Sequence, residues 1–283
     1  ARVEDVAVLE SATIYDWFYR GRDVATVAGY LGFEHDDLRI VDVEADLVPH
    51  RFRRGMVDGE VSRTWRDADL RISFGKLSSH PIDQIYLSLS QLESLLPRAD
   101  ENVFLARRSQ RGPATMALIG ELPPHLSLLD AYAAVADGIG GIIAGERAKS
   151  PRRLYAARDP IALDAAVCRH VGQDDLSESE HLRAALHWFD DPRDRVAIAG
   201  CDAPIDEWEG ACDDEKSAIW SLLAHPMYVL ASGRGQLFAP EMDDSAFPLR
   251  SPLGWHLRAA QSIVRWLLRT RRPRLPPAQK PSA

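Results

Sequence analysis

The chain has 283 residues, 46% hydrophobic composition and a formal net charge of −8, enough for a sizeable core in one large domain or two smaller ones. No run approaches the roughly 20 apolar residues that span a bilayer, and the amino end lacks the apolar stretch of a secretory signal. Eight basic residues and no acidic one follow Asp244, so residues 1–244 carry −16; an acidic body excludes general nucleic-acid binding and leaves the basic tail as a separate question.

Val6–Leu9 reads as a strand beginning almost at residue 1, and with no initiator Met the expectation is that upstream sequence is missing. Val24, Val27, Ala28 and Leu31 form a helical stripe within Asp23–Leu31, and Leu38–Val43 reads as a second strand. This βαβ alternation predicts an α/β fold with a mostly parallel central sheet and covering helices. Pro49–Gly59 is a charged loop or hairpin leading to the stretch Asp67-Ala-Asp-Leu-Arg-Ile-Ser-Phe-Gly-Lys-Leu-Ser-Ser-His80.

There Leu70, Ile72 and Phe74 alternate with Arg71 and Ser73, which predicts a strand burying the first set. Gly75 is expected to free the backbone for a turn, which would place Lys76 and His80 on a loop at the strand's carboxyl end. In an open α/β protein such a strand end normally faces the ligand. Lys76 is suited to hold an anionic group and His80 to move a proton near neutral pH, although a histidine on a loop commonly serves only as a surface or hydrogen-bonding residue.

Ile82–Leu96 reads equally as one helix or as a strand followed by a helix. Pro113–Leu118 is a short helix candidate, and Pro123-Pro124 forces a break before the apolar run Leu126–Val135. Asp137-Gly-Ile-Gly-Gly-Ile-Ile-Ala-Gly145 marks backbone that turns tightly or approaches something closely, without the spacing of a dinucleotide-binding fingerprint. Asp137 and Gly138 are candidate ligand-binding residues; an aspartate before glycine is otherwise a common turn residue.

Arg153–Ala157 is a strand, and Asp159-Pro160 starts a helix over Pro160–Val171 that Gly172 closes. Its wheel puts Asp164 among Ile161, Ala165, Cys168 and Val171. A carboxylate in an apolar stripe needs a cation, a metal or several donors, so Asp164 is read either as structurally paired with an arginine or backbone amides, or as a metal or proton-relay residue. Which metal, if any, the sequence does not specify.

Glu178–Trp188 is a further helix, Arg195–Ala199 a short strand, and residues 200–214 a turn-rich acidic stretch with Trp208 tucked against the body. Lys216–Ala224 reads as helix, and Met227–Leu230 with Gln236–Ala239 as a hairpin. Trp255–Arg269 reads as a helix with Leu257, Ala260, Val264, Leu267 and Leu268 on one face and Arg258, Arg265 and Arg269 on the other. The expected organisation is an α/β domain over 1–244, a basic amphipathic helical extension over 245–272 and a disordered tail over 273–283. Cys168, Cys201 and Cys212 are too far apart for a CxxC pair or a cluster motif, so free thiols in a reducing, cytoplasmic setting are expected.

Three blocks, Ala68-Asp-Leu-Arg-Ile-Ser-Phe-Gly-Lys-Leu-Ser-Ser-His80, Asp137-Gly-Ile-Gly-Gly and Asp159-Pro-Ile-Ala-Leu-Asp164, resemble in that order the signature blocks of the Domain of Unknown Function 362 family, whose members are often fused to iron–sulfur modules. The resemblance covers roughly Val6 to Gly200 and implies a fold and a cleft, not a reaction. The first block is similar, more faintly, to the nickel-pincer lactate racemases, where a histidine at the position of His80 serves as an acid/base. Both families usually carry a lysine ten residues after that histidine; here Ser90 stands there. No covalently anchored nickel pincer and no iron–sulfur cluster is therefore expected, and no other cofactor is indicated.

Together these readings predict an enzyme-like protein that binds a small anionic, carboxylate-bearing molecule in a crevice formed by Lys76, His80, Asp137, Gly138 and Asp164. The alternative is a non-catalytic adaptor with a decayed site, working through a membrane or protein contact of residues 254–272.

Overall fold

The computed structural model describes residues 5–11, 19–33, 35–54, 58–80, 84–97, 108–133, 135, 137, 149–173, 179–191, 196–208, 210, 246–248, 250 and 259. In chain order the elements are β1 (Ala7–Glu10), α1 (Val24–Tyr30), β2 (Arg39–Asp42), α2 (Val43–Asp46), β3 (Leu47–Arg51), β4 (Asp58–Ser62), α3 (Arg63–Asp67), β5 (Ile72–Lys76), β6 (Ser78–His80) and β7 (Gln84–Tyr86). There follow α4 (Ser88–Leu92) with a 3-10 turn (Glu93–Leu95), α5 (Arg108–Glu121), β8 (Leu126–Ala131), β9 (Arg153–Ala157), α6 (Pro160–His170) and α7 (Glu180–Trp188). Helices and strands are interleaved, and the chain is an α/β protein.

The expected parallel sheet is present in part. β1 pairs with β2 in parallel, and so does β5 with β8, Lys76 falling opposite Asp130. β9, however, runs antiparallel to β8, and β3–β4 and β6–β7 are antiparallel pairs. The connections account for the difference. A parallel neighbour needs a long crossover, which α4 and α5 supply between β5 and β8. After β8 the chain instead turns back through an antiparallel bridge between Val135 and Lys149.

The strand at the centre of the sequence reading is real, but its faces are reversed. Ser73 is buried, whereas Leu70, Ile72 and Phe74 are exposed, Phe74 at 65%. Packing space decides this. A Cβ on Gly75 would lie 2.6 Å from Gln91 Cγ and 3.3 Å from Leu129 Cδ1, so α4 comes close enough to β5 that only small side chains fit on its inner face. Gly75 is thus not a turn residue: it is paired with Leu129 inside β5. Lys76 is the last residue of β5 and His80 ends β6, so neither lies on a loop.

The core fills the space on the inner side. Leu129 and Ala131 of β8 meet Leu89 and Leu92 of α4, Ile161, Leu163 and Val167 of α6, Met116 and Leu118 of α5 and Leu182 of α7 in one buried cluster. α5 and α7 pack closely because Gly112 leaves room for Ala184: a Cβ there would sit 2.8 Å from the Ala184 Cβ. Trp208 packs on this cluster, as its sequence setting suggested.

Local signals mark the ends of α1, α6 and α7. Asp23 caps α1 by accepting from Thr26 N at 2.9 Å, Asp159 caps α6 by accepting from Ile161 N at 2.9 Å, and Gly172 follows α6 with φ of +72°, a conformation open to glycine at little cost. α7 begins at Glu180 rather than Glu178, because the Ser179 side chain caps it by accepting from Leu182 N. The expected loop or hairpin over 49–59 is the β3–β4 hairpin, and the ambiguous stretch 82–96 is a strand followed by a helix.

Other expectations are corrected. The short helix at Pro113–Leu118 is longer, Arg108–Glu121, with Pro113 inside it on the exposed side. The apolar run Leu126–Val135, to which the sequence assigned no element, supplies strand β8 over Leu126–Ala131. Residues 196–199 are not a strand; no described strand is hydrogen-bonded to them, and a lone extended segment leaves its ladder unmade. The expected elements Lys216–Ala224, Met227–Leu230 and Gln236–Ala239, the tail 273–283 and most of the extension 245–272 lie outside the described residues. Within the extension Ala259 is helical and exposed.

Candidate functional site

The carboxyl ends of the parallel pair β5–β8 carry the first part of the site. Ile72, Phe74 and Lys76 share the outer face, and the in-register pairing brings Lys76 beside Asp130. The Lys76 ammonium donates to Asp130 Oδ2 at 2.8 Å and to the Ala133 carbonyl at 2.7 Å, while its side chain stays 45% exposed. Two of its three N–H donors are thus engaged and the third remains available. Burial alone would raise the Asp130 carboxyl, but the hydrogen bonds from Lys76 and Tyr132 N outweigh it and hold the group below its ordinary value.

Asp137 occupies a different setting. It is buried and accepts a hydrogen bond from Ser79 Oγ at 3.0 Å and from Gly210 N at 3.1 Å. Lys149 closes the cluster, its Nζ 2.8 Å from Asp137 Oδ2. Ser79 belongs to β6, one residue before His80, so this buried pair anchors the strand that presents His80. The backbone of His80 pairs with Gln84 across the β6–β7 hairpin; its side chain lies outside the described residues, as does Gly138.

Asp164 does not join these residues. It is fully buried and accepts from Ser88 N at 2.9 Å, Leu89 N at 2.9 Å and Ser88 Oγ at 2.6 Å. Those are the opening backbone donors of α4, whose own N-cap residue, Leu87, has no side-chain oxygen to offer them. Asp164 therefore caps α4 from another helix, which answers the sequence question in favour of backbone amides. Burial raises its pKa to about 6, with the Ser88 and Leu89 hydrogen bonds and the charge of His181 pulling it back. His181, itself buried, stands 3.2 Å from Glu93 Oε2.

The single crevice expected for Lys76, His80, Asp137 and Asp164 is thus corrected. α4 packs against the inner face of β5, at Gly75, and Asp164 sits at the start of α4; the Lys76 side chain points to the outer face. The sheet lies between the two. The structure instead couples Lys76 to Asp130, and the hairpin strand 78–80 to Asp137 and Lys149.

Asp130, Ser79, Lys149 and Ser88 were missed by sequence reasoning. One signal was available for Asp130: it occupies an alternate position after Leu126 and Leu128, where a lone carboxylate on an apolar strand face calls for a cation. Lys149, Ser79 and Ser88 carry no such local mark. At Ser90, where the two resembled families usually carry lysine, the Oγ accepts from Leu87 N at 3.4 Å. Among the described residues no group of three or more His, Cys, Asp or Glu side chains is arranged to hold a metal ion, and no helix is long and apolar enough to cross a membrane.

The model of the family described as Domain of unknown function (DUF362) matches residues 3–169. This chain belongs to that family. All three blocks carrying the resemblance lie within the DUF362 match, as do Lys76, Asp130, Asp137, Lys149 and Asp164. No curated protein and no solved structure matches, and the fainter likeness to lactate racemases is not shown.

Proposed function

We propose that this DUF362 protein binds a small carboxylate-bearing anion at the carboxyl ends of β5 and β8, in a reducing, cytoplasmic setting, with His80 as the acid/base group of an enzyme-like site. The observation that carries the reading is the Lys76 ammonium: it is fixed by Asp130 and the Ala133 carbonyl, half exposed, and has a donor left for a ligand oxygen. A lysine held in place before the ligand arrives loses less side-chain entropy on binding. The parallel strand end is also where α/β sheets commonly bind ligands. Cys201, a thiol rather than half of a disulfide, accords with a reducing compartment.

The test is a thermal-shift screen of the full chain against small carboxylates and inorganic phosphate, repeated with Lys76→Met. A carboxylate that raises the melting temperature of the parent but not of K76M supports the site. An equal shift in both proteins overturns it. His80→Ala should then abolish turnover of any bound carboxylate that is converted, while ligand-induced stabilisation persists.

A second reading has its own support. Lys76 is already neutralised by Asp130, and Asp164 is committed to capping α4. Ser90 hydrogen-bonds to the backbone where the resembled families usually carry lysine. These favour an adaptor with a decayed site that works through residues 254–272 in a membrane or protein contact. Under that reading no carboxylate shifts the melting temperature, and deleting Gly254–Ala283 removes partner or membrane binding.

A further inference from the structure

Lys76 stands at the end of an apolar surface. On the outer face of the sheet Ile72 is in register with Leu126, Phe74 with Leu128 and Leu128 with Ala156; next come Lys76 with Asp130 and Asp130 with Leu154. Ile72, Phe74, Leu154 and Ala156 are exposed, Leu154 at 70%, and Leu126 and Leu128 are half-buried. Alternate residues of a strand point to one side of its sheet, so these six apolar side chains form one continuous surface running up to the Lys76 ammonium. A contiguous exposed apolar surface of this kind marks a place where an apolar group binds.

Charge alone draws no anion to this place. Asp130 neutralises Lys76, so a ligand carboxylate gains only the ammonium N–H left over from Asp130 Oδ2 and the Ala133 carbonyl. It also stands close to the Asp130 carboxylate, which repels it. An exposed contact of that kind contributes little, and a short carboxylate therefore binds weakly. A carboxylate that carries an alkyl chain adds contact with the apolar surface, and each methylene taken out of water strengthens the complex. From Lys76 to Ile72 along β5 is roughly 13 Å, the reach of a chain of about ten carbons.

We infer that the ligand of this site is an anionic amphiphile, a medium-chain alkyl carboxylate whose headgroup accepts from Lys76 and whose chain lies over Phe74 and Leu128 toward Ile72 and Leu126. The inference rests on the reading of Lys76 as the anion-holding residue and names the class of molecule it takes. Asp130 then has a second effect: by holding the ammonium at the end of the apolar surface, it fixes where the headgroup sits and so which way the chain runs. A further exposed cation, Arg158, follows Ala157 at the opposite end of β9 and is itself followed by Asp159. A headgroup held there would reverse the chain.

Calorimetric titration of the full chain with butanoate, hexanoate, octanoate and decanoate, each below its micelle concentration, tests the inference. Affinity should rise about twofold per added methylene, against about fourfold for complete burial, because one side of the chain stays in water. Phe74→Ser should flatten that dependence, and Lys76→Met should weaken all four acids alike, by about threefold. Both side chains are exposed, so the fold is not at stake. Equal affinity for short and long acids leaves the carboxylate site standing and overturns the amphiphile; no binding at any length overturns both. The inference also fails if the chain-length gain survives Phe74→Ser, or if octanoate binding is lost with Arg158→Gln but not weakened by Lys76→Met. A dimer in sedimentation velocity that Phe74→Ser dissociates overturns it too, since a second copy of the chain then covers the face.

Discussion

Asp164 and Asp130 sit on opposite sides of the same small sheet, and their surroundings make them different groups. Asp164, with no exposed surface, holds two backbone donors and one hydroxyl, and burial pushes its pKa up to about 6. Asp130, a quarter exposed, answers a lysine, and its pKa is lowered despite partial burial. One carboxylate caps a helix in the core; the other fixes a half-exposed lysine at a strand end. The contrast teaches that, between two aspartates, burial and the partner it allows decide which way the pKa moves.

The largest effect expected is on the inner side. Asp164→Ala leaves the first donors of α4 buried without acceptors, and urea unfolding should show a loss of about 3 kcal/mol. Survival of full stability in this variant would erase the distinction between the two aspartates. Its pH dependence sharpens the same point. The folded state holds the Asp164 proton more tightly than the unfolded chain does, so this contribution is complete below about pH 4. It is then lost as the pH rises through about 6. Over that window the parent should lose on the order of 3 kcal/mol relative to Asp164→Asn, read from urea midpoints at pH 4 and pH 7.

Gly75→Ala, between the two sides, forces the Gln91 side chain or β5 to move and should cost roughly 1–3 kcal/mol in the same unfolding measurement. The outer pair should matter least to stability. Lys76→Met removes an exposed ion pair and should change the unfolding free energy by less than about 1 kcal/mol. Should that variant prove as damaging as Asp164→Ala, Lys76 is a structural residue and the proposed anion site fails with it.

Local chemistry was legible where a residue acts on its own neighbourhood. Asp159 before Pro160 and Gly172 after α6 cap as the sequence indicates, because a cap involves residues at most a few positions apart. The face of β5 was misread because Ile72 and Phe74 are apolar and Ser73 and Gly75 are not. Hydrophobicity pointed inward for the first pair, but the close approach of α4 demanded small residues there. Of the candidate site residues, Lys76 stands at a strand end as the sequence indicates, but the partners that set its state and that of Asp137 were not legible.

The sequence alone determined the alternation of helices and strands, the helix boundaries set by capping residues, the family, and the presence of an unusual aspartate on the apolar stripe of α6. Only the tertiary structure decided that Asp164 serves α4 while Lys76 faces Asp130. The reason is that both depend on contacts between elements far apart in the chain: helix caps are written within one turn, but strand register, the spacing of helix from sheet and the burial of a charge exist only once those elements meet.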